Sequence, residues 1–147
     1  MPKGDGFSIV LIEDDPGHAR LIQKNLRRFE LMQEIITFAN GQEALDYLQA
    51  LHATGSGNAR KVLVFLDLNI PGIDGMTLLE RIKADPQMRN IPIVILTTSQ
   101  EQREISRCYE LGCNVFITKN MEYEAFVQKI ERTVRFLSIL KVPGKER

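Results

Sequence analysis

A lone aspartate, Asp67, closes the unbroken apolar run Val62-Leu63-Val64-Phe65-Leu66 and stands ahead of Asn69, Pro71-Gly72 and Asp74-Gly75. A carboxylate can act as a nucleophile that takes up a phosphoryl group, and it can also hold a hard divalent cation. Three other apolar runs end in polar residues in the same way. Ile9-Val10-Leu11-Ile12 leads into Glu13-Asp14-Asp15, Ile93-Val94-Ile95-Leu96 into Thr97-Thr98-Ser99, and Val115-Phe116-Ile117 into Thr118-Lys119. If Glu13, Asp14 and Asp67 meet, three carboxylates cannot all stay ionised without counter-cations. Lys119 supplies one positive charge. Oxygen-only ligation by few protein groups suits Mg²⁺ for the rest, with the backbone carbonyl of Asn69 completing the protein's share. Mg²⁺, a lysine and the Thr97 hydroxyl are together the equipment for stabilising a phosphoryl group in transfer. Asp67 stands alone on its run and is the better nucleophile, whereas Glu13 and Asp14 are paired for metal.

This chemistry requires the four runs to be strands of one sheet. Each is short and rich in β-branched or aromatic residues, and Pro and Gly after the Asp67 run read as a turn. Strands apolar on both faces are those of a parallel sheet covered on each side, and ligands of open α/β sheets bind at the C-terminal ends of the strands. Helical stripes alternate with the runs: Ala19, Ile22, Leu26 and Phe29; Ala44, Leu45, Leu48 and Leu51; Met76, Leu79 and Ile82; Ile105 and Cys108 within 100–111; and a long final helix from Tyr123 to about Leu140. Asp15 and Pro16 suit the start of the first helix, Asp85-Pro86 the end of the third, and Gly112 the end of the fourth. A less apolar strand is predicted over Glu34 to Phe38, as suits a sheet edge. The polar segment from His52 to Arg60 reads as a long loop; His18, early in the first helix near the acidic edge, and His52 both read as solvated surface residues. Right-handed crossovers then give a doubly wound α/β sheet.

The 147 residues suit one domain over 1–147, with an extended C-terminal helix. Nineteen basic residues cancel nineteen acidic ones, so no general attraction to nucleic acid or anionic lipid is expected. No run is long enough to suggest a membrane span, and residues 1–6 lack the apolar core of a signal peptide. Cys108 and Cys113 read as reduced thiols of a cytoplasmic protein.

Four segments, IEDD at 12–15, LDLNIPGIDG at 66–75, LTTS at 96–99 and FITK at 116–119, together resemble the receiver domain of two-component response regulators. The resemblance covers the chain to about residue 135. It implies a five-stranded (βα)5 sheet of order 2-1-3-4-5 and phosphoryl transfer from a histidine kinase onto Asp67. It also implies metal binding by Glu13, Asp14, Asp67 and the Asn69 carbonyl. Thr97 falls at the family's switch hydroxyl, Phe116 at its switch aromatic and Lys119 at its lysine. Asn120 stands where the family usually has Pro. The pattern most resembles the stand-alone regulators paired with phytochrome-type kinases, which implies a signalling protein rather than an enzyme, and no DNA-binding region is expected after it.

Two alternatives use the same residues. A haloacid-dehalogenase-like phosphohydrolase also places a nucleophilic Asp after an apolar strand, but it needs a second Asp where Asn69 stands. A receiver that no longer takes phosphate would signal by contact alone. On the final helix, Phe126, Ile130, Val134 and Leu137 form the core stripe. Phe136, Ile139 and Leu140 fall to one side of it; they could fold back over the domain's own edge, but the favoured expectation is a symmetric homodimer surface.

Overall fold

The computed structural model describes residues 7–28, 32–53, 61–119 and 122–138. Strands and helices alternate: β1 (Phe7–Ile12), α1 (Pro16–Leu26), β2 (Met32–Phe38), α2 (Gly41–Ala53), β3 (Lys61–Leu66), α3 (Gly75–Ala84), β4 (Ile93–Thr97), α4 (Gln102–Leu111), β5 (Val115–Thr118) and α5 (Tyr123–Ser138). The strands form one five-stranded parallel sheet in the order β2-β1-β3-β4-β5, as expected.

The unbroken apolar runs are explained by a core on each face of the sheet, since successive strand side chains point to opposite sides. Val62, Val64 and Leu66 of β3 pack with Leu45 and Leu48 of α2, Leu78 and Leu79 of α3, and Cys108 of α4. Leu63 and Phe65 of the same strand turn the other way, against Ile22 of α1 and Phe126, Ile130, Val134 and Leu137 of α5. The two cysteines are free and buried, and burial pushes their thiols up to about 11 for Cys108 and about 12 for Cys113.

The caps follow the expected residues. Asp15 Oδ1 accepts from the backbone N–H groups of Gly17 and His18 at 2.9 and 3.0 Å, and Pro16 opens α1. Gly112 ends α4 at φ 111°, a left-handed conformation that glycine adopts without strain. Three boundaries or environments differ from expectation. The second strand begins at Met32 rather than Glu34, and α4 at Gln102 rather than Gln100. Of the first stripe, Phe29 lies outside the described residues, as do 54–60 of the polar loop. His52 is not a solvated loop residue. It continues the inward stripe of Leu45 and Leu48 on α2, is buried, and its Nδ1 lies 2.9 Å from the Leu48 carbonyl one turn back.

Candidate functional site

The sheet ladder runs one residue past the strand ends and carries the acids with it. Glu13 donates its N–H to the Phe38 carbonyl at 2.9 Å, and Asp67 donates its own to the Ile12 carbonyl at 3.0 Å. Both side chains emerge at the C-terminal edge of the sheet and are nearly buried, while Asp14 is exposed. One carboxylate oxygen from each of Glu13, Asp14 and Asp67 lies within 4.8 Å of the others. The loop after β3 is drawn in tightly, because the Gly75 N–H donates to the Leu68 carbonyl at 2.9 Å. A Cβ at Gly75 would stand 2.6 Å from the Asp67 carbonyl oxygen, so only glycine allows α3 to start there. Asn69, expected to lend its carbonyl, is exposed and donates its N–H to Asp67 Oδ1 at 3.1 Å.

Lys119 follows β5 directly, and its backbone N–H reaches the Thr97 carbonyl at 2.7 Å. Its side chain is 7% exposed, and the ammonium pairs with Glu13 Oε1 and, at 3.0 Å, with Asp67 Oδ2. Burial pushes the Glu13 carboxyl up to about 7. The charge of Asp67 acts in the same direction, and the ion pair with Lys119 opposes both. One ammonium cannot neutralise three carboxylates. The all-oxygen donor set, spaced for a single ion, fits a hard divalent cation.

Thr97 is fully buried at the end of β4, its Oγ1 accepting from the Ser99 N–H at 3.4 Å. Phe116 is half-buried on β5 against the core shared by α2, α3 and α4. The structure thus brings Glu13, Asp14, Asp67 and Lys119 into one cluster, with Thr97 and Phe116 on the adjoining strands. At the far end of α5, Leu137 is buried and Phe136 is 56% exposed; Ile139 and Leu140 lie outside the described residues, as does Asn120.

Two contacts were not anticipated. His18 Nδ1 lies 3.2 Å from Lys119 Nζ, so this histidine belongs to the site's edge. Its position three residues past the Asp15 cap, on the first turn of α1, was the available signal. Tyr109 of α4 accepts a hydrogen bond on its hydroxyl from the Phe116 backbone N–H at 3.1 Å. A pairing between a helix side chain and a strand amide leaves no periodic trace in sequence.

The family model of the response regulator receiver domain matches residues 9–131. A probable methanogenesis regulatory protein, FilR2, of Methanothrix harundinacea is 36% identical over 86% of this chain and 81% of its own length. The response regulator Rcp1 of Synechocystis is 32% identical over 84% of this chain and 83% of its own. Among solved structures, a response regulator receiver domain from Rhodospirillum rubrum superposes with a TM-score of 0.81 at 48% identity, covering 95% of this chain and 99% of that one. The phosphorylated cyanobacterial phytochrome response regulator RcpA gives 0.81 at 34% identity, covering 95% and 99%. An Mn²⁺-bound form of response regulator Rcp1 gives 0.76 at 29% identity, covering 94% and 99%.

Proposed function

The chain belongs to the response regulator receiver domain family, and we propose that it takes a phosphoryl group from a histidine kinase onto Asp67. The observation that carries this reading is the cluster itself, in which Lys119 pairs with Asp67 and Glu13 beside three converging carboxylates. A carboxylate oxygen of Asp67 attacks phosphorus as the bond to the kinase imidazole breaks. The imidazole leaves with the electron pair, and an acyl phosphate forms on Asp67. Lys119 is within reach of an oxygen of the incoming group, and Thr97 supplies a hydroxyl donor at the neighbouring strand end. Mg²⁺, held by Asp14, Glu13, Asp67 and the Asn69 carbonyl, would neutralise charge on the phosphoryl oxygens. The metal-bound Rcp1 relative supports such a site, with a different ion.

On this reading the protein is a phospho-acceptor of the cytoplasm rather than a metabolic enzyme, and its output passes through protein contacts, not nucleic acid. Similarity to a phytochrome response regulator supports a phytochrome-type kinase as partner. No helix among the described residues is long and apolar enough to cross a membrane. The test is intact-mass spectrometry after incubation with acetyl phosphate. One phosphoryl group is expected with Mg²⁺ and none with a chelator; no gain under either condition defeats the reading.

Phosphorylation would be read out by Thr97 and Phe116. Thr97 moves toward the phosphoryl oxygens, Phe116 fills the space it leaves, and α4 and β5 present an altered surface. Backbone amide resonances over 97–119 are expected to move on phosphorylation of the wild type. In Thr97→Ala they move far less although phosphate is still accepted. Equal shifts in both proteins would remove Thr97 from the switch.

A homodimer through α5 is part of the same proposal. Phe136 is a large exposed apolar side chain beside the buried Leu137, and Ile139 and Leu140 extend the sequence pattern. Light scattering at tens of micromolar should give a dimer for the wild type and a monomer for Phe136→Asp. A monomeric wild type, or a dimeric variant, eliminates the surface.

A further inference from the structure

An ammonium carries three N–H bonds, and each one that is buried needs an acceptor. Around Lys119 Nζ stand three acceptors: Glu13 Oε1, Asp67 Oδ2 at 3.0 Å and His18 Nδ1 at 3.2 Å. Two belong to the carboxylate cluster. The third comes from α1, on an imidazole ring. His18 Nδ1 is 3.9 Å from both Glu13 Oε2 and Asp15 Oδ2, beyond hydrogen-bond reach, so its close contact is with the lysine. Such a contact requires the tautomer with hydrogen on Nε2, because a proton on Nδ1 would face the ammonium.

The His18 backbone N–H is fixed by the Asp15 cap, and the ring and Lys119 line one pocket of about 210 Å³ with Leu21, Ile22, Tyr123 and Phe126. The His18 side chain is 45% exposed whereas that of Lys119 is 7% exposed, so the imidazole stands on the solvent side of the lysine side chain.

We propose that His18 is a positioning residue for phosphoryl uptake. By accepting one N–H of Lys119, it aims the other two at Glu13 and Asp67, where the incoming phosphoryl group must be met. Without that acceptor the third N–H turns to water, and the ammonium swings out of line with the Asp67 oxygen. The proposal rests on the reading that Asp67 takes the phosphoryl group, so its test includes a measurement made without phosphate.

His18→Leu keeps apolar bulk and removes the acceptor. His18→Asn returns an oxygen near the place of Nδ1. Phosphorylation by acetyl phosphate with Mg²⁺ is expected to slow about tenfold in the Leu variant, the worth of one hydrogen bond to a charged group. The Asn variant should recover most of the rate, and both should melt like the wild type. In unphosphorylated protein, the ¹⁵N–¹H signal of the Lys119 ammonium should persist in the wild type and the Asn variant and vanish by water exchange in the Leu variant. A Leu variant with wild-type rate and an intact ammonium signal overturns the proposal. So does an imidazole ¹⁵N spectrum of the neutral ring showing hydrogen on Nδ1. If the wild type takes no phosphate, the acceptor reading falls instead, and the ammonium signal still decides the contact.

Discussion

Asp67→Asn is expected to reduce the phosphoryl mass gain to nothing. The amide has nearly the shape of the carboxylate, and its oxygen can still accept from the Asn69 N–H, which reaches Asp67 Oδ1 at 3.1 Å. The fold around the residue therefore has no reason to change. What disappears is the anionic oxygen, and with it the nucleophile. The two other acids are poor substitutes. Glu13 is held by Lys119 and by the Asp15 N–H, and Asp14 is the exposed member of the cluster. Intact-mass spectrometry with acetyl phosphate and Mg²⁺ provides the measurement, with a thermal melt to verify folding. A variant that gains phosphate as the wild type does would move the acceptor to another residue.

The second large effect is a fall in stability of the metal-free protein as pH rises. The Glu13 carboxyl is pushed up from 4.5 to about 7 in the folded state, first by burial. Between those values the native protein keeps a proton that the unfolded chain has released. The unfolded state then binds fewer protons than the native one, so stability decreases with increasing pH. Glu13's contribution is fully present below 4.5 and is lost as pH passes through about 7, on the order of 3 kcal/mol in all. Denaturant midpoints measured in chelator should fall between about pH 5 and about pH 8. Glu13→Gln should flatten that trend, and so should excess Mg²⁺, which favours the ionised carboxyl. A chelated wild type whose midpoint ignores pH would show that Lys119 outweighs burial at this side chain.

Much of the fold was legible because single residues carried unambiguous physics. The β3 run Val62–Leu66 is apolar on both faces because both faces are covered. Asp15 and Gly112 sit where a cap and a left-handed terminus require them. The carboxylate cluster was legible for a related reason. In a parallel sheet, residues at the ends of separate strands arrive at one edge whatever lies between them. Contacts made by side chains across elements were harder to read. His18 and His52 are the same residue type with opposite fates, one beside an ammonium at the sheet edge and one in the core stripe of α2. A histidine is apolar enough to be buried and polar enough to be solvated, so its environment is fixed by packing that its neighbours in sequence do not encode. Of the three residues proposed for a dimer surface, Phe136 alone is described.

The Tyr109 hydroxyl bears on how the molecule behaves in a crowded solution. β5 is the last strand of the sheet, and an outer strand offers unpaired amides to any extended chain that drifts past. In β5 the Phe116 amide is already taken, at 3.1 Å, by a phenol from the preceding helix. With only four residues in the strand, one occupied amide leaves little continuous ladder for a foreign strand to extend. The tyrosine thus caps one of the amides on which a foreign strand would have to pair.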